Sequence, residues 1–320
     1  MTNHAYLDGP ASAGPVDLGS DRVGLRGWWR RLTDTTMLRR WSVAALVANI
    51  AIVLTGALVR LTASGLGCPT WPRCVPDSYV AQPEYGVHGV IEFGNRLLTF
   101  VLAAVMVLTF WCARRVGDRG VRVRVRTWAL VLLLGIPLQA VIGGVTVLTQ
   151  LNPFVVALHL LASMGLIAIA VVLVHRAWGI ERQASTAAQR LLVRTTFVLL
   201  AIVIWLGTVV TGSGPHAGDH GAARTGYDPA LVSHIHAGAV YAAMAATIAG
   251  VVLYRSRRAG LLLALELTQG AVGIVQYHLG LPIWLVMLHL LGASLVIAVA
   301  TSYLLSEGRA GAAQPTVGNR

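Results

Sequence analysis

Phe154-Val-Val-Ala-Leu-His159-Leu-Leu-Ala-Ser-Met-Gly-Leu-Ile-Ala-Ile-Ala-Val-Val-Leu-Val-His175 runs for 22 residues without an acidic residue, a lysine or an arginine. As an α-helix at ~1.5 Å per residue it extends about 33 Å, enough to cross a hydrocarbon core of roughly 30 Å. Working outward, comparable apolar runs fall near 41–62, 89–113, 127–149, 191–212, 229–254, 259–278 and 282–305. Lipid offers no partner to a backbone N–H or C=O, so such runs satisfy their hydrogen bonds internally, as helices. The 320-residue chain is 56% apolar and 12% charged, with a mean hydropathy of +0.68. Soluble domains carry about a quarter charged residues. The expected fold is therefore all-α and integral to the membrane, with eight transmembrane helices and the lipid bilayer as solvent.

The net charge of +12 comes entirely from arginine. The arginines cluster between apolar runs and accompany no nucleic-acid-binding motif, which excludes nucleic acid as a partner. Counted by loop, 21 of the 25 arginines fall on one side. The positive-inside rule makes that side cytoplasmic and places both termini there. The layout predicted is a cytoplasmic N-terminal tail (1–40), a four-helix half (41–175), a cytoplasmic linker (176–190), a second four-helix half (191–305) and a cytoplasmic tail (306–320). Residues 1–25 are polar, contain Gly and Pro, and read as a disordered tail without a signal-peptide pattern. The first span then serves as an uncleaved signal anchor.

The halves share polar landmarks. Gln139-Ala-Val-Ile-Gly143, then Pro153 and His159-Leu-Leu, is echoed by Gln269-Gly-Ala-Val-Gly273, then Pro282 and His289-Leu-Leu. Thr62-Ala-Ser-Gly65 is similarly echoed by Thr211-Gly-Ser-Gly214. Both halves start on the same side, so they read as parallel pseudo-symmetric bundles about an axis along the membrane normal.

This repeat makes the histidines informative. His159 lies six residues after Pro153, and His236 and His289 each lie seven after Pro229 and Pro282. All three sit about 10 Å below the outer helix ends. Two imidazoles at one depth, His236 and His289, suit axial ligation of a haem iron. In the first half the corresponding pair is Asn95 and His159, and asparagine does not ordinarily ligate haem iron. Glu92, His88 and Asn95 share one helix face. Glu92 reads either as a catalytic carboxylate or as the structural ion-pair partner of Arg96. Cys68 and Cys74 share an outer loop and are either a disulfide or two free thiols. Cys112 reads as an apolar filler. His216 and His220 fall in a flexible Gly-rich outer loop, 212–228, as ordinary solvated residues; His4, His175, His234 and His278 carry no clear signal.

Thr62-Ala-Ser-Gly-Leu-Gly-Cys68-Pro-Thr-Trp-Pro-Arg-Cys74 resembles the first outer loop of haem A synthases, and Ile91-Glu92-Phe-Gly-Asn95-Arg96-Leu-Leu resembles their Glu-x-x-His-Arg motif. The Gln-to-His segments are similar to their fourth and eighth helices, so the resemblance covers residues 41–305. The arginine-only basic content and Asn95 look like the actinobacterial branch. The resemblance implies oxidation of the C8 methyl of haem O to a formyl group, with water as the oxygen source, giving haem A for an aa3-type terminal oxidase. It implies a haem b cofactor with iron ligands His236 and His289, and a substrate-haem site around His159, Asn95, His88 and Arg96. Glu92 would be the catalytic carboxylate that stabilises a cation at the methyl carbon. Cys68 and Cys74 would be the loop pair that can form a disulfide. Implied partners are haem O, a haem O synthase (protohaem farnesyltransferase), the cytochrome aa3 assembly route and an electron acceptor or donor that the sequence does not name. The implied location is the bacterial plasma membrane.

The residues leave two other classes open. A dihaem b electron carrier or quinol oxidoreductase would need two complete ligand pairs on opposite sides of the membrane. A non-catalytic haem-binding or transport protein would leave Glu92 and the paired cysteines without a task.

Overall fold

A computed structural model describes residues 34–309. The expected tail at 1–25, and residues 310–320 of the C-terminal tail, lie outside the described residues. Among the described residues eight helices are long and apolar enough to cross a membrane, and the protein is a multi-pass membrane protein. They are α1 (Thr35–Leu61), α2 (Gly86–Arg115), α3 (Arg119–Leu148), α4 (Pro153–Trp178), α5 (Ala187–Ser213), α6 (Pro229–Tyr254), α7 (Arg257–His278) and α8 (Ile283–Ser306).

Side-chain caps set most of the helix starts. The carboxylates of Asp34, Asp118 and Asp228, the Asn152 amide oxygen, and the Thr186 and Ser256 hydroxyls each accept a first-turn backbone N–H. Pro153 and Pro229 open α4 and α6, where a missing N–H breaks no helical bond. Two helices begin well before their apolar runs, by six residues or more. Thr35 precedes residue 41, and Arg119 precedes 127, because arginine-bearing turns join the helix without joining the hydropathy signal.

Helices α1 to α4 pack in a ring, each touching its sequence neighbour, with α1 closing on α4; α5 to α8 repeat that ring. Contacts of α4 with α8, α4 with α5, and α1 with α8 join the rings. This neighbour pattern is unchanged when the halves are exchanged. Apolar side chains such as Phe100, Val123 and Leu253 cover the outside, as a lipid-facing surface requires.

The packed cores lie toward the arginine-rich end. In the first half the core joins Leu38, Met106, Leu132 and Leu173; in the second it joins Leu200, Leu262, Ala300 and Tyr303. Val53, Met164, Ile167 and Ile297 seal the junction. The fold is not purely helical: Gln183–Ser185 (β1) pairs in parallel with Glu307–Arg309 (β2). This short pair ties the linker between the halves to the end of α8.

Candidate functional site

The arginine-poor end is called the outer end. Three imidazoles project toward it from even-numbered helices, and each lies against a glycine of the preceding odd-numbered helix. A Cβ on Gly143 of α3 would sit 3.3 Å from His159 Cε1, on Gly207 of α5 3.4 Å from His236 Cε1, and on Gly273 of α7 3.5 Å from His289 Cε1. The glycines therefore form shallow seats that fix each ring laterally. Gly143 and Gly273 belong to the sequence repeat, but the repeat does not reveal that they carry the rings.

Nδ1 of His159 and Nδ1 of His289 are each buried without a hydrogen-bond partner among the described residues. Nδ1 of His236 is also buried and unpaired, although its ring lies in reach of the Val203 carbonyl. His236 and His289 are close enough to feel one another's charge. Unpaired imidazoles within a membrane are costly unless something else engages them. No group of three or more His, Cys, Asp or Glu among the described residues could hold a bare metal ion. A porphyrin iron needs only two protein donors, because the macrocycle supplies the other four. The donor set, two imidazoles with buried unpaired Nδ1 atoms, thus fits a haem at His236 and His289.

The first half differs. Its second helix carries Asn95 in place of an imidazole among these polar side chains, and Asn95 Oδ1 is buried without a partner among the described residues. Glu92, only 5% exposed, has both oxygens engaged. Oε1 accepts Arg96 Nη2 at 2.6 Å, and Oε2 accepts the Cys68 backbone N–H at 2.6 Å. Arg96 also donates to the carbonyls of Cys68, Thr70 and Arg73. Of the two readings of Glu92, the structure displays the ion pair with Arg96, and it adds a backbone bond that ties the carboxylate to the Cys68 loop.

That loop is a built element. Cys68 and Cys74 form a disulfide. Gly67 lies where a Cβ would collide with the His88 carbonyl, and this close approach brings the Cys68 N–H onto Glu92. The Trp71 ring fills the space that a side chain at Gly144 of α3 would need, so the loop spans from α2 to α3 across the outer mouth. His88 is exposed, and its Nδ1 pairs with Ser64 Oγ at 2.9 Å. No hydrogen bond joins His88, Asn95 or the His159 ring to one another among the described residues.

The remaining histidines separate. His175 is buried, with Nε2 2.9 Å from Ser302 Oγ, and links α4 to α8. His234 Nδ1 lies 2.7 Å from its own helix's Ala230 carbonyl. His216 is not simply a solvated loop residue: its Nε2 lies 2.9 Å from the Leu281 carbonyl. Glu266 of α7, only 5% exposed, accepts Thr247 Oγ1 at 2.8 Å. It lies about 10 Å inward of Gly273 along α7, and sequence reasoning passed over it.

Fold and site define a helical membrane protein that presents three glycine-seated imidazoles toward its outer end, with a carboxylate-anchored disulfide loop across one half. The chain belongs to the COX15-CtaA family of cytochrome oxidase assembly proteins, whose model matches residues 39–218. It is similar to the heme A synthase of Lysinibacillus sphaericus (strain C3-41), 37% identical over 138 residues that cover 42% of this chain and 43% of the relative. It is also similar to the heme A synthase of Geobacillus kaustophilus (strain HTA426), 29% identical over 179 residues covering 54% of each chain. The chain spans about half the length of the curated relatives it matches. The family match ends before His236 and His289. For those two residues the reasoning rests on the internal repeat and on their geometry.

Proposed function

We propose that this protein is a haem A synthase that oxidises the C8 methyl of haem O to a formyl group, with water supplying the oxygen and an external electron acceptor taking up the four electrons released. The carrying observation is the inequality of the two outer chambers. One has two neighbouring imidazoles, His236 and His289, each on a glycine seat. The other has one imidazole, His159, an unpaired Asn95, and the anchored carboxylate Glu92. A permanent cofactor suits the paired chamber. A substrate that must enter and leave suits the chamber with the weaker ligand set, and chemistry belongs where the carboxylate is. This division supports the two-half layout proposed from the sequence.

His236 and His289 would hold haem b, which when bound supplies one-electron redox chemistry. His159 would face the iron of the substrate haem O. Asn95 would leave the opposite face without a strong ligand, and the Nε2 of His88, two turns outward on the same helix face, is the candidate to complete it. The Cys68 N–H and Arg96 hold the Glu92 carboxylate at a fixed place, where it stabilises positive charge developing at the methyl carbon. Arg96 is a positioning residue that holds Glu92 and three loop carbonyls together. The disulfide loop lays Trp71 against Gly144 of α3, so that it covers the outer end of this half.

The arginine distribution supports placement in a bacterial plasma membrane with both termini cytoplasmic. Haem O supply by a haem O synthase, and delivery of haem A to cytochrome aa3, complete the proposed setting.

Haem analysis of single variants tests the reading. Glu92→Ala and His159→Ala should each abolish haem A formation while haem b remains bound. Normal haem A production by both variants would overturn the active-site assignment.

A further inference from the structure

The loop between α5 and α6 is packed over the outer end and does not dangle as a flexible connection. The Gly218 carbonyl accepts the Gly65 N–H at 2.8 Å, just beyond α1, and His216 reaches the Leu281 carbonyl beyond α7. Gly218 adopts φ +104°, a conformation open to glycine, at the point where the loop meets Leu151 and Arg60. One loop thus touches the outer ends of both halves.

Beneath it lies a cavity of about 210 Å³, lined among others by Arg60, Ala63, His216, Asp219, His220 and Arg224. Arg60 Nη2 donates to the Thr211 carbonyl at 2.6 Å, but Arg60 Nε is buried without a partner. Among the described residues Arg224 donates to the loop carbonyls of Ala222 and Pro215. The two guanidinium groups are near enough to repel each other. Among the described residues neither has a carboxylate within ion-pair distance; the pair found is Arg96 with Glu92. Asp219 turns one oxygen to the Gly221 N–H. Two like charges at a bundle mouth, one carrying a buried unpaired donor, call for an anion.

We infer that this cavity is a carboxylate site, and that it takes the propionate groups of a haem held by the histidines below. The inference rests on the haem reading above and names a site for a different part of that ligand. The ligating histidines lie about 10 Å below the outer helix ends. A porphyrin at that level has its apolar ring in the bundle, and its two carboxylates must turn toward the nearer aqueous face. That is the face where Arg60 and Arg224 stand. The cavity is large enough for carboxylates but not for the ring. Because the loop contacts both halves, the propionates come from the cofactor haem or from the substrate haem.

The test compares haem b with haem b dimethyl ester, which keeps the ring and iron but has no propionate charge. Full-length protein, made in haem-deficient cells and held in phosphatidylcholine nanodiscs, is titrated with each and followed by Soret absorption. Arg60→Gln and Arg224→Gln should each weaken free-acid haem by about tenfold, the scale of one charge-assisted hydrogen bond, and leave the ester nearly unchanged. Arg60→Lys should recover part of the loss. Repeating the titration with His159→Ala and with His289→Ala assigns the propionates to the cofactor or substrate haem, according to which background keeps the selective loss. Equal weakening of acid and ester, or no weakening, overturns the inference and points to a lipid phosphate or a structural role for the cations. If the unsubstituted protein binds neither haem, the underlying haem reading fails instead.

Discussion

At the residue scale the site depends on small side chains beside large ones. Gly143, Gly207 and Gly273 give the three imidazoles their lateral room. A bulky side chain there cannot be absorbed, because the ring is the nearest object on the facing helix. Gly273→Leu should displace His289 and lose the low-spin bis-imidazole absorption, with helical content by circular dichroism unchanged. Retention of the wild-type spectrum would count against the seat. His236→Ala or His289→Ala should remove most bound haem b from purified protein, as read by pyridine haemochrome. The histidines, Glu92 and Arg96 were legible in the sequence because polar groups stand out in apolar helices. The glycine seats, the Arg60 cavity and Glu266 were not, since each depends on which helix faces which.

At the element scale, hydropathy locates the middle of a span and misses its ends. Helix α3 starts at Arg119 because Asp118 accepts the Val121 N–H at 3.0 Å, and the arginines of its first turns stay on the helix. The outer loops were the least legible elements. Residues 212–228 read as flexible because of their glycines, yet those glycines permit close packing. The Cys68–Cys74 loop is held by its disulfide and by the Glu92–Arg96 clamp together. Cys68→Ser should loosen it by about 2 kcal/mol, the scale for closing a short loop. Arg96→Ala should act in the same direction. Both should speed proteolysis within residues 67–82, and an unchanged cleavage rate for Arg96→Ala would remove the clamp from the account.

At the scale of the whole molecule, sequence and fold agree on eight spans, and the arginine count supplies an orientation that helix packing does not. Single-cysteine reporters placed in the 179–186 segment and after α6 should react only with permeant reagents in intact cells. A reporter at Tyr79 should react with impermeant ones. The reverse pattern would invert the membrane placement and put the proposed chemistry on the cytoplasmic side. The two rings share one neighbour pattern, and Glu92 stands three residues before Asn95 in one half as Ser233 stands three before His236 in the other.

The central claim is that the chamber around Glu92, Asn95 and His159 converts haem O to haem A. Its most direct test is extraction and chromatography of haems from membranes that make haem O, with and without this protein. The account predicts that haem A appears, at the expense of haem O, only when the protein is present, and that Glu92→Ala abolishes it. Membranes containing the folded, haem b-loaded protein and haem O, but no haem A, would contradict it.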